Sequence, residues 1–351
     1  MKSLLIIALA GIAVAEVPPD VAKQLVNIGR GVCVPETAQV YAPMHPKPPY
    51  TGVTIERNIS FGPAQQNVLD VFSAEKGNGN RPVLIYVSGG AGNKQQGGPN
   101  GEPFYDNVML WATKNGMVGV NMQRRPGETP DDPAKDIGKI VRWVHDNIAK
   151  YKGNPGRVFI WAQSAGNIPT STYVGHPELW GNIGVGVKGV VFMSAPNFNI
   201  LPATPPPVQA GAGGGFGGCG RPDGQPVVAA DNAKGKGGGK GGPGGAAKGG
   251  DGKGGAGKGK QAPPDAATQL ARSNLPGMVK AKLPYFVSVA ELDPPNIIAF
   301  AETLRDELTK AGAKVTFANF KDHSHISEVM SPNTKDTSVT GPILKWMKSV
   351  Q

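Results

Sequence analysis

The sequence is poor in metal-ligating side chains, with two cysteines and five histidines in 351 residues. Neither Cys33 nor Cys219 has a second cysteine or a histidine at ligand spacing, so we expect no metal site. In an oxidising compartment the two cysteines can form one disulfide, which would join two otherwise loose segments. The sequence leaves this bond open, because it depends on geometry.

Long hydrophobic runs are absent beyond the N-terminus. Residues 1–15 combine Lys2, a short apolar run and the small-x-small ending Ala13-Val14-Ala15. This is the layout of a cleavable secretory signal. A membrane anchor is the alternative, but the run is well short of the roughly 20 residues that span a bilayer. We therefore expect a secreted or periplasmic protein with no membrane span.

Large apolar side chains are nearly missing from residues 202–264, which are rich in glycine, lysine and proline. Residues 211–260 contain 23 glycines. They also contain seven lysines and one arginine but only three aspartates, so their net charge is half of the chain's +10. A strict Gly-X-Y register is absent, which excludes a collagen triple helix. We expect a disordered insert. Its lysines can bind an anionic surface, although an inert surface loop is the simpler interpretation, and no specific nucleic acid is expected as a partner.

The rest of the mature chain, residues 16–351, predicts one domain of alternating strands and helices. Two segments, residues 53–60 and 67–73, predict an antiparallel pair joined by a turn at Gly62-Pro63. Six later runs are apolar on both faces, as strands of a parallel sheet covered by helices are. These runs are residues 83–87, 117–120, 158–161, 190–193, 285–289 and 315–318.

Amphipathic helices are predicted between these strands. After Pro133, apolar residues recur at helical spacing while Asp136 falls on the polar face. Further helices are predicted over residues 297–311 and 342–349. The alternation predicts an α/β fold with a mostly parallel central sheet flanked by helices.

The strand at residues 158–161 runs directly into the segment AQSAG at residues 162–166, ahead of a predicted helix. This is a nucleophile elbow of the G-x-S-x-G kind, with Ala162 in place of the first glycine. Small residues flank the serine because strand and helix approach closely at a strained turn. The position of the motif predicts Ser164 as a nucleophile.

A glycine-rich turn, SGGAG at residues 88–92, follows the first parallel strand. Backbone N–H groups of such a turn can stabilise an oxyanion, together with the N–H of the residue after the nucleophile. We predict Gly90, Ala91 and Ala165 as these donors. An ordinary flexible turn is the alternative interpretation.

Carboxylates and histidines follow the last two predicted strands. Asp293 lies at a strand-to-helix junction and is preferred as the acid over Glu291, which lies two residues back. His325 and His323 share the loop after the final strand. We choose His325 as the general base, because helix-start residues follow it and can anchor it, with His323 as the alternative.

Together, AQSAG, SGGAG, ELDPP and DHSHISEV resemble the α/β-hydrolase superfamily, and within it the carboxylesterase and hormone-sensitive-lipase-like branch. The resemblance covers about residues 53–347, apart from the insert. Two positions depart from the branch: Ser88 stands where histidine is usual, and Gln163 replaces an acidic residue common beside the nucleophile. Neither departure removes a catalytic group.

The resemblance implies a serine hydrolase that cleaves carboxylic esters through a Ser-Asp-His triad and an acyl-enzyme, without a cofactor. The insert stands where this fold commonly has a lid and lacks the apolar side chains that would cover a lipid, so we expect an open site suited to small or polymer-borne esters. Two alternatives remain open. One is an amide or peptide hydrolase that uses the same triad. The other is a non-catalytic surface-binding protein that uses the basic insert, because fold alone does not certify function.

Overall fold

The computed structural model describes residues 16–125, 131–200 and 272–350. The predicted signal at residues 1–15 and the predicted insert at residues 202–264 lie outside these ranges. Within them, no helix combines the length and the apolar character needed to cross a bilayer.

The central feature is an eight-stranded sheet, accompanied by a two-stranded ribbon. In chain order the strands are β1 (Val53–Ser60), β2 (Val68–Ala74), β3 (Arg81–Val87), β4 (Gln96–Gly97), β5 (Pro103–Phe104), β6 (Val118–Met122), β7 (Gly153–Gln163), β8 (Gly189–Met193), β9 (Pro284–Ala290) and β10 (Lys314–Phe320). The large sheet has the order β1-β2-β6-β3-β7-β8-β9-β10. β2 is antiparallel to both of its neighbours, and all other pairs are parallel.

Helices cover both faces of this sheet. They are α1 (Pro19–Ile28), α2 (Val34–Tyr41), α3 (Asp106–Lys114), α4 (Asp132–Asn147), α5 (Asn167–Gly175), α6 (Leu275–Lys280), α7 (Pro295–Lys310), α8 (Ser327–Met330) and α9 (Thr340–Ser349). One apolar cluster joins α4, α5 and α7 to one face, and a second joins α3 and α9 to the other. Successive residues of β3 alternate between the two clusters, which is why the strand is apolar throughout.

The predicted fold class is confirmed, and all eight predicted strands are present in the large sheet. Two local predictions are wrong. β10 is only partly buried, because it forms the edge of the sheet and one side carries no further strand. Asp136 is buried rather than on the polar face of α4, and it pairs with Arg125 and Lys139.

The segment that follows residue 15 is ordered rather than loose. Apolar residues of α1 at helical spacing, Val21, Leu25 and Ile28, are buried in a third cluster. Cys33, between α1 and α2, is fully buried and disulfide-bonded. Its predicted partner, Cys219, lies outside the described residues.

The strand order also fixes where a ligand can bind. β6 pairs with one side of β3 and β7 with the other. The chain passes from β3 to β6 but from β7 to β8, so the connections after β3 and after β7 run to opposite sides. In open α/β sheets, this divergence opens a crevice at the carboxyl ends of the strands. The loops that follow β3, β7, β9 and β10 therefore converge on one edge.

Candidate active site

Ser164 lies at a strained turn at the carboxyl end of β7. Its φ is +51°, a left-handed conformation that non-glycine residues seldom adopt. A short 3-10 turn, Ser164–Gly166, leads into α5. A Cβ on Gly166 would lie only 2.3 Å from the carbonyl oxygen of Val87, so this position needs glycine. The turn thus holds Ser164 against the end of β3, as the elbow motif predicts.

A continuous hydrogen-bonded chain connects three predicted site residues. His325 Nε2 lies 2.8 Å from Ser164 Oγ, and His325 Nδ1 lies 2.7 Å from Asp293 Oδ1. In the arrangement that satisfies all three groups, Nδ1–H donates to Asp293, and Nε2 accepts from the serine. Asp293 Oδ2 also accepts from Ser194 Oγ at 2.6 Å and from the N–H of Ala290 at 2.7 Å. The acid is therefore fixed on both oxygens.

The two rival residues have other partners. Both ring nitrogens of His323 are engaged, with Ser327 Oγ at 2.9 Å and Ser338 Oγ at 2.8 Å. Glu291 is exposed, and its carboxylate accepts from the N–H of Asp322 at 2.8 Å. The geometry therefore favours His325 and Asp293 for the roles of base and acid.

The glycine-rich turn lies beside Ser164. A Cβ on Gly89 would lie 2.6 Å from the Cβ of Ser164, so the turn reaches the elbow only because residue 89 lacks a side chain. Gly90 and Ala91 are exposed, and their N–H groups have no acceptor among the described residues. Ala165 lies at the start of the turn into α5, where N–H groups lack intrahelical partners.

Ser88, the residue in place of the usual histidine, closes this turn. Its side chain is fully buried and donates to the carbonyl oxygen of Asn93 at 2.8 Å. The next residue, Lys94, forms a 2.6 Å ion pair with the buried Asp70 of β2. These contacts anchor the turn to the sheet.

Gln163, the other departure from the branch, contacts the base loop. Its amide donates to the carbonyl oxygen of His325 at 3.2 Å, and the same nitrogen lies 3.4 Å from His325 Nε2. A neutral amide here ties the base loop to β7 without adding charge beside the imidazole.

The N-terminal helices support the loops that carry Asp293 and His325, a contact that the sequence did not reveal. Arg30, after α1, donates to the carbonyl oxygens of Glu291 at 2.8 Å and Asp293 at 3.0 Å. Leu292 and Ile326, each adjacent in sequence to a residue of the hydrogen-bonded chain, are buried in the N-terminal apolar cluster. Residues 17–42 thus hold the two loops in place by packing and hydrogen bonds.

Glu328 is a second buried acid behind this chain. It is fully buried, and neither carboxyl oxygen has a hydrogen-bond partner of normal geometry among the described residues. Burial raises the pKa of Glu328 well above its ordinary value, the charge of Asp293 raises it further, and the Ser194 hydroxyl opposes the shift. Burial and the neighbouring carboxylate thus both favour the protonated form of this side chain.

One group of potential metal ligands lies among the described residues: Asp293, His325 and Glu328. His325 Nδ1 is already bonded to Asp293, and burial disfavours the charged form of Glu328. This donor set fits a proton-sharing network better than a cation site, because metal ligands must be deprotonated.

The substitution Glu328→Gln is expected to leave kcat within threefold of wild type, because glutamine is uncharged like the protonated acid that burial favours. The folded state holds a proton that the unfolded state releases above pH 4.5. Wild-type stability therefore falls as pH rises from there towards the raised pKa, by up to about 1.4 kcal/mol per pH unit. Urea unfolding from pH 5 to 8 should show the advantage of the glutamine variant growing with pH.

The control for this comparison is Glu75→Gln, which removes an exposed carboxylate. Its unfolding free energy should follow that of wild type across the same range. A difference between Glu328→Gln and wild type that shrinks with pH would show that Glu328 is charged in the folded protein.

Comparisons with known proteins find similarity in both sequence and structure. A family model described as BD-FAE matches residues 69–169, from β2 through the elbow. A probable isoprenylcysteine alpha-carbonyl methylesterase of Arabidopsis thaliana is 29% identical over 115 residues, covering 32% of this chain and 23% of that protein. Mouse carboxylesterase 1D is 35% identical over 111 residues, covering 28% and 19%. The chain thus spans about a fifth to a quarter of these relatives.

A solved structure, a thermostable esterase from Pseudomonas putida, aligns over 89% of this chain and 87% of that one, with a TM-score of 0.55 and 14% identity. A likeness at this identity shows the fold. The fold is that of the α/β-hydrolases, and the sequence relatives are a methylesterase and a carboxylesterase. Asp293 and His325 lie outside the matched family segment.

Proposed function

We propose that this carboxylesterase-like α/β-hydrolase is a serine hydrolase that cleaves carboxylic esters. The observation that carries the proposal is the unbroken hydrogen-bonded chain from Ser164 through His325 to Asp293. Its nucleophile lies on a strained turn, and its three members come from the carboxyl ends of three parallel strands. This is the arrangement that activates a serine hydroxyl.

In the first half of the reaction, Ser164 Oγ attacks the ester carbonyl while His325 Nε2 accepts the hydroxyl proton. The imidazolium then donates this proton to the departing alkoxide, which leaves as an alcohol, and an acyl-serine remains. Asp293 stabilises the imidazolium and holds the ring, and the bond from Ser194 keeps the carboxylate in place.

In the second half, water attacks the acyl-serine and gives its proton to His325. The imidazolium then returns this proton to Ser164 Oγ as the bond from Oγ to the acyl carbon breaks, and the acid product leaves. Negative charge develops on the carbonyl oxygen in both halves. Backbone N–H groups aimed at that oxygen stabilise both transition states. We assign this role to the N–H groups of Gly90, Ala91 and Ala165, as the sequence predicts.

An ester is favoured over an amide because an alkoxide leaves with less assistance than an amine. Two relatives of the chain, a methylesterase and a carboxylesterase, agree with this preference. We propose small or polymer-borne esters as the substrate class.

We also propose that the protein is exported, because residues 1–15 have the secretory pattern and Cys33 is disulfide-bonded. N-terminal sequencing of the exported protein should then find Glu16 as its first residue.

The direct test compares p-nitrophenyl acetate with p-nitroacetanilide, which share the acyl group and the aromatic ring. The purified full chain should release p-nitrophenol with saturation kinetics, and p-nitroaniline release should stay at background. Turnover of the anilide at a comparable rate would favour the amide hydrolase. If neither substrate is turned over, nor any other short-chain ester, the proposed function is wrong.

A further inference from the structure

The glycine-rich turn is held from behind by one arginine. Arg124, two residues after β6, directs its guanidinium at three consecutive carbonyl oxygens. Nε lies 3.4 Å from that of Ser88, and Nη2 lies 3.4 Å from that of Gly89 and donates closely to that of Gly90. The N–H of Arg124 also donates to the carbonyl oxygen of Gly92 at 2.8 Å. Arg124 thus contacts the turn through both its side chain and its main chain, and the N–H of Gly92 closes the turn on the carbonyl oxygen of Gly89 at 2.9 Å.

The charge of Arg124 has no carboxylate partner among the described residues, whereas its neighbour Arg125 pairs with Asp136 at 2.6 Å. Burial lowers the pKa of Arg124, and the nearby Tyr105 opposes the shift. An arginine nevertheless keeps its charge inside proteins. The cost of its partial desolvation is therefore offset by the carbonyl dipoles of the turn.

The contacted carbonyls belong to the peptide units that carry the predicted oxyanion donors. The carbonyl of Gly89 shares its peptide plane with the N–H of Gly90, and the carbonyl of Gly90 shares its plane with the N–H of Ala91. In a trans peptide, C=O and N–H point to opposite edges of the plane. Drawing both carbonyls towards Arg124 therefore turns both N–H groups to the opposite side of the turn.

The turn is also close to the nucleophile and tightly packed on the arginine. Gly89 abuts Ser164, as described above, and a Cβ on Gly92 would lie 2.6 Å from the Cβ of Arg124. Glycine at these two positions lets the turn fit between the elbow and the arginine side chain.

We propose that Arg124 is the positioning residue of the oxyanion hole: by binding the carbonyls of Gly89 and Gly90 it aims the N–H groups of Gly90 and Ala91 at the reacting carbonyl oxygen. Its positive charge at the carbonyl end of each peptide also makes the N–H end a stronger donor. Because the charge on the substrate oxygen develops in the transition state, the benefit falls on kcat rather than KM. The inference rests on the proposed serine hydrolase function.

The test measures kcat and KM for p-nitrophenyl acetate in Arg124→Gln, Arg124→Lys and Arg124→Ala. Removal of one oxyanion donor costs about 10²- to 10³-fold in kcat, and loss of its orientation should cost somewhat less. We expect Arg124→Gln to lose about 10- to 100-fold in kcat, with KM within threefold. A trifluoromethyl ketone, which forms a tetrahedral serine adduct, should lose affinity by a similar factor.

Two further arms separate positioning from a merely structural effect. Added guanidinium ion should partly restore kcat in Arg124→Ala and leave wild type unchanged. Arg124→Lys keeps the charge without the planar fork, so it should fold and fall between wild type and Arg124→Gln. The matched control is Arg125→Gln, which should keep kcat within threefold even if its melting temperature falls.

The outcomes distinguish this inference from the function on which it rests. If Arg124→Gln and Arg124→Lys both keep kcat within threefold while Ser164→Ala is inactive, Arg124 has no positioning role and the serine mechanism stands. The other two variants replace Arg124→Gln if it does not fold. In that case the inference is overturned if Arg124→Lys has the kcat of wild type and guanidinium does not rescue Arg124→Ala. Turnover by Ser164→Ala would overturn the function itself.

Discussion

Replacing Ser164 by alanine is expected to lower kcat for p-nitrophenyl acetate by about 10⁵- to 10⁶-fold. The variant lacks the attacking oxygen, so no acyl-enzyme can form, and only residual rate enhancement from binding and oxyanion stabilisation remains. Alanine fits the elbow because it is no larger than serine, and the melting temperature should change little. Initial rates at saturating ester, set beside thermal melts of the same preparations, provide the measurement.

The control for this variant is Ser171→Ala in α5, seven residues along the chain. The hydroxyl of Ser171 donates to the carbonyl oxygen of Ile168 and accepts from Asn274, away from the hydrogen-bonded chain. It should keep kcat within threefold. Equal turnover by both alanine variants would mean that another residue is the nucleophile.

The second large effect is expected from His325→Gln, with a loss of about 10⁴-fold or more in kcat. Glutamine can donate a hydrogen bond towards Asp293 but cannot take the proton of the serine hydroxyl at neutral pH. The nucleophile then attacks without a base. The pH profile provides a second readout, because the limb that reports the base should disappear from the residual activity.

The neighbouring histidine supplies the matched control, since His323 is equally buried on the same loop. His323→Gln should keep kcat within about threefold. It should lose about 1–3 kcal/mol of unfolding free energy, because His323 bonds Ser327 and Ser338 and lies 3.3 Å from Asp336. The reverse pattern, with His323→Gln inactive and His325→Gln active, would exchange their roles.

The sheet and the residues of the hydrogen-bonded chain could be predicted because their signals are local. Apolar runs indicate strands wherever they occur, and Ser164, Asp293 and His325 each follow such a run directly. In a parallel sheet, the carboxyl ends of the strands lie at one edge. Residues that directly follow such strands are therefore predicted to lie close together, even though their distances cannot be read from the sequence.

The supporting residues could not be predicted, because their roles depend on contacts distant in sequence. Arg30 meets the carbonyls of residues 291 and 293, and nothing near Arg30 indicates this partner. Glu328 looks like an ordinary charged residue at a helix start, yet it is fully buried. The spacing of Val21, Leu25 and Ile28 indicates a helix, but nothing near these residues indicates which loops the helix supports.

The departures from the resembled branch also find a physical reason only in the structure. Ser88 closes the glycine-rich turn through Asn93, and Gln163 ties the base loop to β7. The sequence showed that neither substitution removes a catalytic group. It could not show that the side chains of Ser88 and Gln163 each have a defined hydrogen-bond partner near Ser164.

The central claim, that Ser164 is an activated nucleophile, is tested most directly by reaction of the purified full chain with a fluorophosphonate. Mass spectrometry of the intact protein should show one adduct per chain, and peptide mapping should place it on Ser164, with no labelling of Ser164→Ala. The adduct should also be lost in His325→Gln and retained in His323→Gln. An adduct on any other residue, or no adduct on protein that melts cooperatively, would contradict the account.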